Sequence, residues 1–395
     1  MSDMHLPRIR QILAAGAVAG LIATTAACGS SDDSSTSTAA AGTTAGAAAT
    51  TADSGAAGVA KAKAAIEPFI AQSEPLTIDT PLSKKPPSGK TVYWLQASLD
   101  DTSIITPGME AATKALGWNL KTLIYDPSKP QEVNSTVMQA VAANPDYIAI
   151  AGSPPEQWQE GLDAAKAKGI PIFDSYDQVD PLGKENGIYS QVSRNDYVRY
   201  AKLMADYVAA DSNGDANILL VNVPAYPVLA PYKDDMQKEL DEVCPNCKLD
   251  ELEISQQDLL AGNVPNSVVS YLRTHPNTKY AVFSLGALTT GVSQALASGG
   301  VSDVKLLGSN PVEANLKALE NGSEYAWVAL PKALSGWYLV DAMARHSVGD
   351  STKPSDALLP TQIITKDTVP EPLTRIGFDG PAGYPDEFAK LWKLQ

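Results

Sequence analysis

From Thr91 onward, short apolar runs alternate with amphipathic stretches of about ten positions. TVYWLQAS (91–98) reads as a strand, 107–116 as a helix closed by Gly117, and LKTLIYD (120–126) as a strand; a helix over 131–143, DYIAIAG (146–152), a helix over 155–168 and IPIFDS (170–175) follow. A second series repeats the grammar. Its strands are NGIYSQVS (186–193), ANILLVNVP (216–224), LDELEIS (249–255), YAVFSLG (280–286), VKLLGSN (304–310) and YAWVAL (325–330), and its helices cover 195–210, with Asn195 as cap, 232–242, 264–272, 288–297 and 314–319. Strands alternating with helix-length amphipathic segments predict an α/β fold with parallel sheets and crossover helices, here two parallel-sheet lobes. Open sheets of this kind take ligands beyond the carboxyl ends of their strands, so the residues just after each strand are the candidates for a site.

The amino end follows a different pattern. Positions 12–27 are uncharged and mostly small, behind a head carrying Arg8 and Arg10. The run falls short of the roughly 20 residues a spanning helix needs and reads as an export signal. Thr25-Ala26-Ala27-Cys28 resembles a bacterial lipoprotein box, although Thr25 stands where that family usually has leucine. The resemblance implies cleavage after residue 27 and a lipid on Cys28; plain secretion is the alternative. Residues 28–60, rich in Ser, Thr, Ala and Gly, carry too little apolar bulk to repay ordering and read as a tether. The proline-rich 61–90 reads as a lead-in to the body.

The chain has 395 residues and a formal net charge of -15. About 330 residues behind the tether exceed one usual core, which again gives two lobes. No basic patch interrupts the acidity, which argues against binding nucleic acid or an anionic bilayer through the protein surface. No GxSxG, GxGxxG, P-loop or HExxH occurs, so the common nucleophile, dinucleotide, phosphate and zinc routes lack their markers, and no cofactor is expected. Cys244 and Cys247, in DEVCPNCKLD, are open to three readings. An exported chain favours a disulfide; the acidic stretch before the pair disfavours a redox thiolate, and a chain whose histidines are His5, His275 and His346, with no second cysteine pair, disfavours a metal site.

From about 91 to 365 the chain resembles the type 1 periplasmic substrate-binding proteins, the sugar-type receptors of ABC importers. The resemblance is carried by TPGMEAATKALGWNL after the first strand, QAVAANPDYIAIAG, GLDAAKAKGIPIFDS, and LRTHPNTKYAVFSLGALTTGVSQALASGG followed by VSDVKLLGSNP, in that order. It implies two Rossmann-like lobes joined by three crossover segments and closing over a small ligand, with 91–192 plus 331–358 in lobe one and 193–330 plus 359–395 in lobe two and a C-terminal extension. It further implies a monomer without metal or catalytic residues, handing its ligand to an ABC permease. The location implied is the outer face of the bacterial cytoplasmic membrane, held by lipid, or the periplasm.

Sugar binders of that family place polar clamps where this chain offers Ala230, Gly286, Ala287 and Leu330, and only the amide of Asn310 remains. Each unmet hydroxyl of a desolvated sugar costs about 1–3 kcal/mol, so the expected ligand is aromatic or less hydroxylated than a free sugar. The candidate ligand residues are Gln96, Ser98, Asp100, Ser153, Trp158, Asp174, Tyr176, Asp177, Asn222, Tyr226, Asn310, Leu330 and Trp337. Trp158 and Trp337 fit core packing as well as a ligand platform, and Asp100 fits a solvent-facing turn. Three alternatives stand beside the main reading: a plain sugar receptor, a ligand sensor for a membrane signalling partner, and an envelope hydrolase using Asp174 and Asp177.

Overall fold

The computed structural model describes residues 45–71, 74–98, 100–177, 179–180, 182–370, 373–374 and 376–395. Cys28 lies outside them, as does the side chain of Asp100. The strands are β1 (Thr91–Ala97), β2 (Asn119–Tyr125), β3 (Tyr147–Ala151), β4 (Ile172–Ser175), β5 (Ile188–Val192), β6 (Asn217–Asn222), β7 (Lys248–Glu253), β8 (Tyr280–Phe283), β9 (Lys305–Ser309), β10 (Ala326–Ala329) and β11 (Gln362–Thr365). The first sheet, in the order β2-β1-β3-β4-β5, is parallel throughout. The second runs β11-β10-β9-β8-β6-β7 and is parallel except for the antiparallel pairing of β10 with β11.

The composition of each strand follows its place. YIAIA in β3 and AWVA in β10 are buried at every residue, since an interior strand of such a sheet is covered on both faces. The edge strands β2 and β7 read NLKTLIY and KLDELE, and Ile124 on β2 is 63% exposed. In each sheet the strand order reverses beside the first strand, β1 or β6, and the crevice of the fold opens there.

Three segments pass between the sheets. After β5, residues 193–195 lead into helix Asp196–Asp211, which packs on helix Tyr232–Val243 beside the second sheet. After β10, Leu330 and Pro331 lead back into helix Lys332–Val348, which lies on helix Ile105–Leu116 of the first sheet. That contact brings backbone against backbone: a Cβ on Gly108 would stand 1.7 Å from the Ala333 carbonyl oxygen, and one on Gly336 would stand 2.7 Å from the Met109 nitrogen. The chain then returns through 357–361 to β11.

Both ends of the chain depart from the sequence expectation. Helix Ala45–Ala71 starts inside the stretch read as tether. Its alanines are poor core formers and good helix formers, and lobe two supplies a surface for them: Ala62 is fully buried and Ile66 nearly so. At the other end, helix Tyr384–Leu391 and Trp392 turn back onto helix Lys332–Val348, where Trp337 meets Phe388 at 5.3 Å and Trp392 at 5.4 Å. The extension assigned to lobe two therefore packs on a lobe-one helix. Cys244 and Cys247 are joined in a disulfide across the turn between helix Tyr232–Val243 and β7.

Candidate functional site

A cavity of about 530 Å³ lies at the carboxyl ends of strands from both sheets. Lobe one contributes Ala97 from β1, Ala151 at the end of β3 with Gly152 after it, and Tyr176 after β4. Lobe two contributes Leu229 after β6, Leu259 after β7, Leu285 after β8 and Asn310 after β9, and Lys332 enters from the second crossing. The volume suits a small molecule. The lobe-two wall is dominated by aliphatic side chains, with Val228, Val264, Pro265 and Val312 completing it.

The polar groups of the wall are held in place by strained backbone and by one another. Tyr176 and Asn310 each follow a strand with φ of 62° and 54°, the left-handed region, which turns their side chains out of the sheet and costs a non-glycine residue energy. The Tyr176 hydroxyl donates to Ser335 Oγ at 3.1 Å, and Ser335 Oγ donates to the Lys332 carbonyl at 2.6 Å. Asn310 Nδ2 donates to the Tyr197 hydroxyl at 2.6 Å, and the Tyr176 and Tyr197 rings meet edge to face at 6.3 Å. Asn310 lines the cavity, and its Oδ1 is buried and takes no hydrogen bond from the protein. Lys332 is 2% exposed.

Of the residues named from sequence, Tyr176, Tyr226 and Asn310 line this cavity. None of the other candidate ligand residues whose side chains the structure describes lines it. Ser153 is buried against Tyr125, their hydroxyls 2.9 Å apart, and its carbonyl accepts from Trp158 Nε1 at 2.7 Å, so these residues form a knot inside lobe one. Gln96 accepts from Thr106, which in turn accepts from Trp94 Nε1, and Ser98 is exposed with its amide on the Tyr125 carbonyl. Asp100 begins a short helical turn. Asn222 holds the loop that presents Leu229: its Nδ2 donates to the Leu229 carbonyl at 3.1 Å and to Glu251 at 3.0 Å. Leu330 is buried outside the wall, and Trp337 sits in the aromatic cluster with Trp392.

Asp174 and Asp177 are both buried and off the cavity wall. Burial, and then the Asp177 carboxyl within hydrogen-bonding reach, hold Asp174 well above the ordinary carboxylate range. Both carboxyls are buried and off the cavity wall, whereas glycoside hydrolysis needs its two carboxyls facing each other across the bound glycosidic bond. Among the described residues no cluster of His, Cys, Asp or Glu is placed to hold a metal.

The sequence reading missed Tyr197 and Lys332. Lys332 does leave a signal, because a lysine at the first position of helix Lys332–Val348 stands at the end where the helix dipole disfavours a cation. Gly286 was read as a lost clamp, but packing explains it: a Cβ there would stand 2.3 Å from Asn315 Oδ1 and 2.6 Å from the Asn310 carbonyl oxygen.

The chain aligns in fold with solved solute-binding proteins. One is an ABC transporter solute-binding protein from Mycobacterium smegmatis with bound glycerol, 19% identical, with TM-score 0.64 over 74% of this chain and 100% of that one. Another is the 5-methylthioribose transporter solute-binding protein from Thermotoga lettingae, in complex with 5-methylthioribose, at 16% identity and TM-score 0.63 over 80% of this chain and 100% of that one. A third is a periplasmic ribose ABC transporter protein from Conexibacter woesei, at 18% identity and TM-score 0.61 over 72% and 95% of the two chains. No curated protein sequence matches the chain. Residues 87–351, more than half of the chain, match the model of the periplasmic binding protein domain, and the chain belongs to that family.

Proposed function

We propose that this protein is an extracytoplasmic solute-binding receptor that captures a small molecule between its lobes and delivers it to an ABC-type importer. The observation that carries the reading is the cavity walled by residues from both sheets at the carboxyl ends of their strands. A ligand touching both walls binds the closed arrangement better than the open one and draws the lobes together. A receptor needs no reacting group, and the carboxyl pair that would serve a hydrolase lies off the wall.

For the ligand, the relatives favour a sugar or sugar-like polyol: they hold glycerol and 5-methylthioribose, or are named for ribose. This supports the plain sugar-receptor reading over an aromatic ligand. The cavity's own lining supports a narrower second reading, a sugar derivative with one apolar side. Its hydroxyls would meet Asn310 and Tyr176, and its apolar part would lie against Leu229, Leu259 and Leu285. The protein acts as a monomer, anchored through a lipid on Cys28, with the permease as its membrane partner; a signalling protein in the permease's place is the alternative. Native mass spectrometry of protein purified without denaturant tests the ligand reading. Release of an intact pentose, hexose or alkylated derivative supports it, and release of an aromatic acid or steroid overturns the sugar class.

A further inference from the structure

The cavity is polar at one end and aliphatic at the other. Lobe two's sheet runs from β11 at one edge to β7 at the opposite edge, and the second and third crossings join it at β10 and β11. Polar groups of the wall gather on the side of the crossings. Asn310 follows β9, the neighbour of β10, and its amide meets the hydroxyl of Tyr197 at the start of the helix that the first crossing feeds. Lys332 stands in the second crossing, and Tyr176 donates to Ser335 just beyond it. Towards the opposite edge Leu229 follows β6, and Leu259, Leu260, Val264 and Pro265 follow β7, with Tyr226 adding a hydroxyl among them.

Leu260 marks the way out. It lines the cavity and is 64% exposed, so it stands where the cavity meets solvent. A single exposed leucine is ordinary, but this one continues the run of Leu259, Val264 and Pro265, and its surface stays wet until something in the cavity lies against it. The turn that carries it is fixed by other groups: Ser255 Oγ accepts from the Asp258 amide at 3.0 Å, and Asn263 Nδ2 donates to Asp258 Oδ1 at 2.9 Å. Helix Gln256–Leu260 therefore keeps its shape without the leucine side chain. A volume of about 530 Å³ falls in the range of roughly 300–1,000 Å³ that drug-sized ligands fill, so one sugar ring beside the crossings leaves the aliphatic end unfilled.

We propose that the cavity takes an amphipathic ligand, a small hydroxylated head seated beside the crossings with an aliphatic chain running outward past Leu259, and that Leu260 is the specificity-determining contact for the far end of that chain. This rests on the receptor reading and adds to it the class of molecule captured. Each methylene drawn from water into the aliphatic end raises affinity by about twofold to fourfold, up to the chain length that reaches Leu260.

The test uses the full chain, calorimetry, and two series of probes of growing chain length: methyl, butyl, hexyl and octyl glucoside, each below its micelle-forming concentration, and n-butanol, n-hexanol and n-octanol, which remove any dependence on the glucose head. Affinity should climb along at least one series, with a heat capacity of binding that becomes more negative as the chain lengthens. Leu260→Asn should weaken the octyl member by about fivefold to tenfold, leave the butyl member within twofold, and unfold at the parent's urea midpoint because the side chain is exposed. Affinity that is flat along both series, measurable or not, overturns the proposal, and so does a climb that Leu260→Asn leaves intact. Neither result touches the receptor reading, which fails instead if saturation with a bound molecule leaves the radius of gyration unaltered.

Discussion

Replacing Asn310 separates its work in binding from its work in folding. Asn310 lines the cavity at φ 54°, gives Nδ2 to the Tyr197 hydroxyl at 2.6 Å, and keeps Oδ1 buried without a protein donor. A ligand hydroxyl given to Oδ1 in a desolvated cleft is worth about 1–3 kcal/mol, so Asn310→Ala and Asn310→Gly should both weaken binding by about 5- to 150-fold. Their stabilities should differ. Alanine in the left-handed region costs about 1 kcal/mol, whereas glycine accepts it freely, so Asn310→Gly should unfold at higher denaturant than Asn310→Ala. Calorimetry against a panel of pentoses, hexoses, 5-methylthioribose and glycerol, using the tightest member for both variants, gives the affinities, and urea unfolding gives the stabilities. If both variants bind within twofold of the parent, Asn310 Oδ1 does not face the ligand and the site has been assigned to the wrong wall.

Asp341 is fully buried and accepts from Arg345 Nε, Ser355 Oγ and Trp392 Nε1, each at 2.7 Å, so Asp341→Ala should strand a buried guanidinium and lower stability by about 3–5 kcal/mol in urea unfolding. Asp206 is pushed up to about 7 by burial and by Glu239, against an ordinary 3.8. The folded state therefore holds a proton that the unfolded chain releases; this group's contribution is complete below about pH 4 and is lost as pH rises through 7, and Asp206→Asn should flatten that part of the stability profile. Palmitate label should enter the expressed protein and be absent after Cys28→Ala; persisting label would place the lipid elsewhere.

The fold was legible because parallel strands buried on both faces must be continuous apolar runs, as in YIAIA and YAVF, and crossover helices must be amphipathic between them. The site was legible only in part. Tyr176 and Asn310 follow strands directly, where the fold puts its crevice, and both line the cavity. Ser153 and Trp158 also follow a strand and Asp174 lies within β4, but a strand's end fixes a position along the sheet and not the direction in which a side chain there turns. Here the left-handed backbone at 176 and 310 made that difference, and nothing in the residue types announces it. Trp337 went to the core because Phe388 and Trp392, some fifty positions away, return to cover it, a long-range contact that local pattern does not carry. Helix Ala45–Ala71 was hidden for the complementary reason: its composition resembles a tether until a partner surface is present.

The most direct test of a receptor that captures its ligand between two lobes is small-angle scattering of the protein before and after saturation with the molecule it carries, followed by recovery of that molecule. The radius of gyration should fall on saturation, and the recovered ligand should be chemically unchanged after long incubation. A saturated protein with an unaltered radius, or a ligand returned as a different compound, would contradict capture by closure.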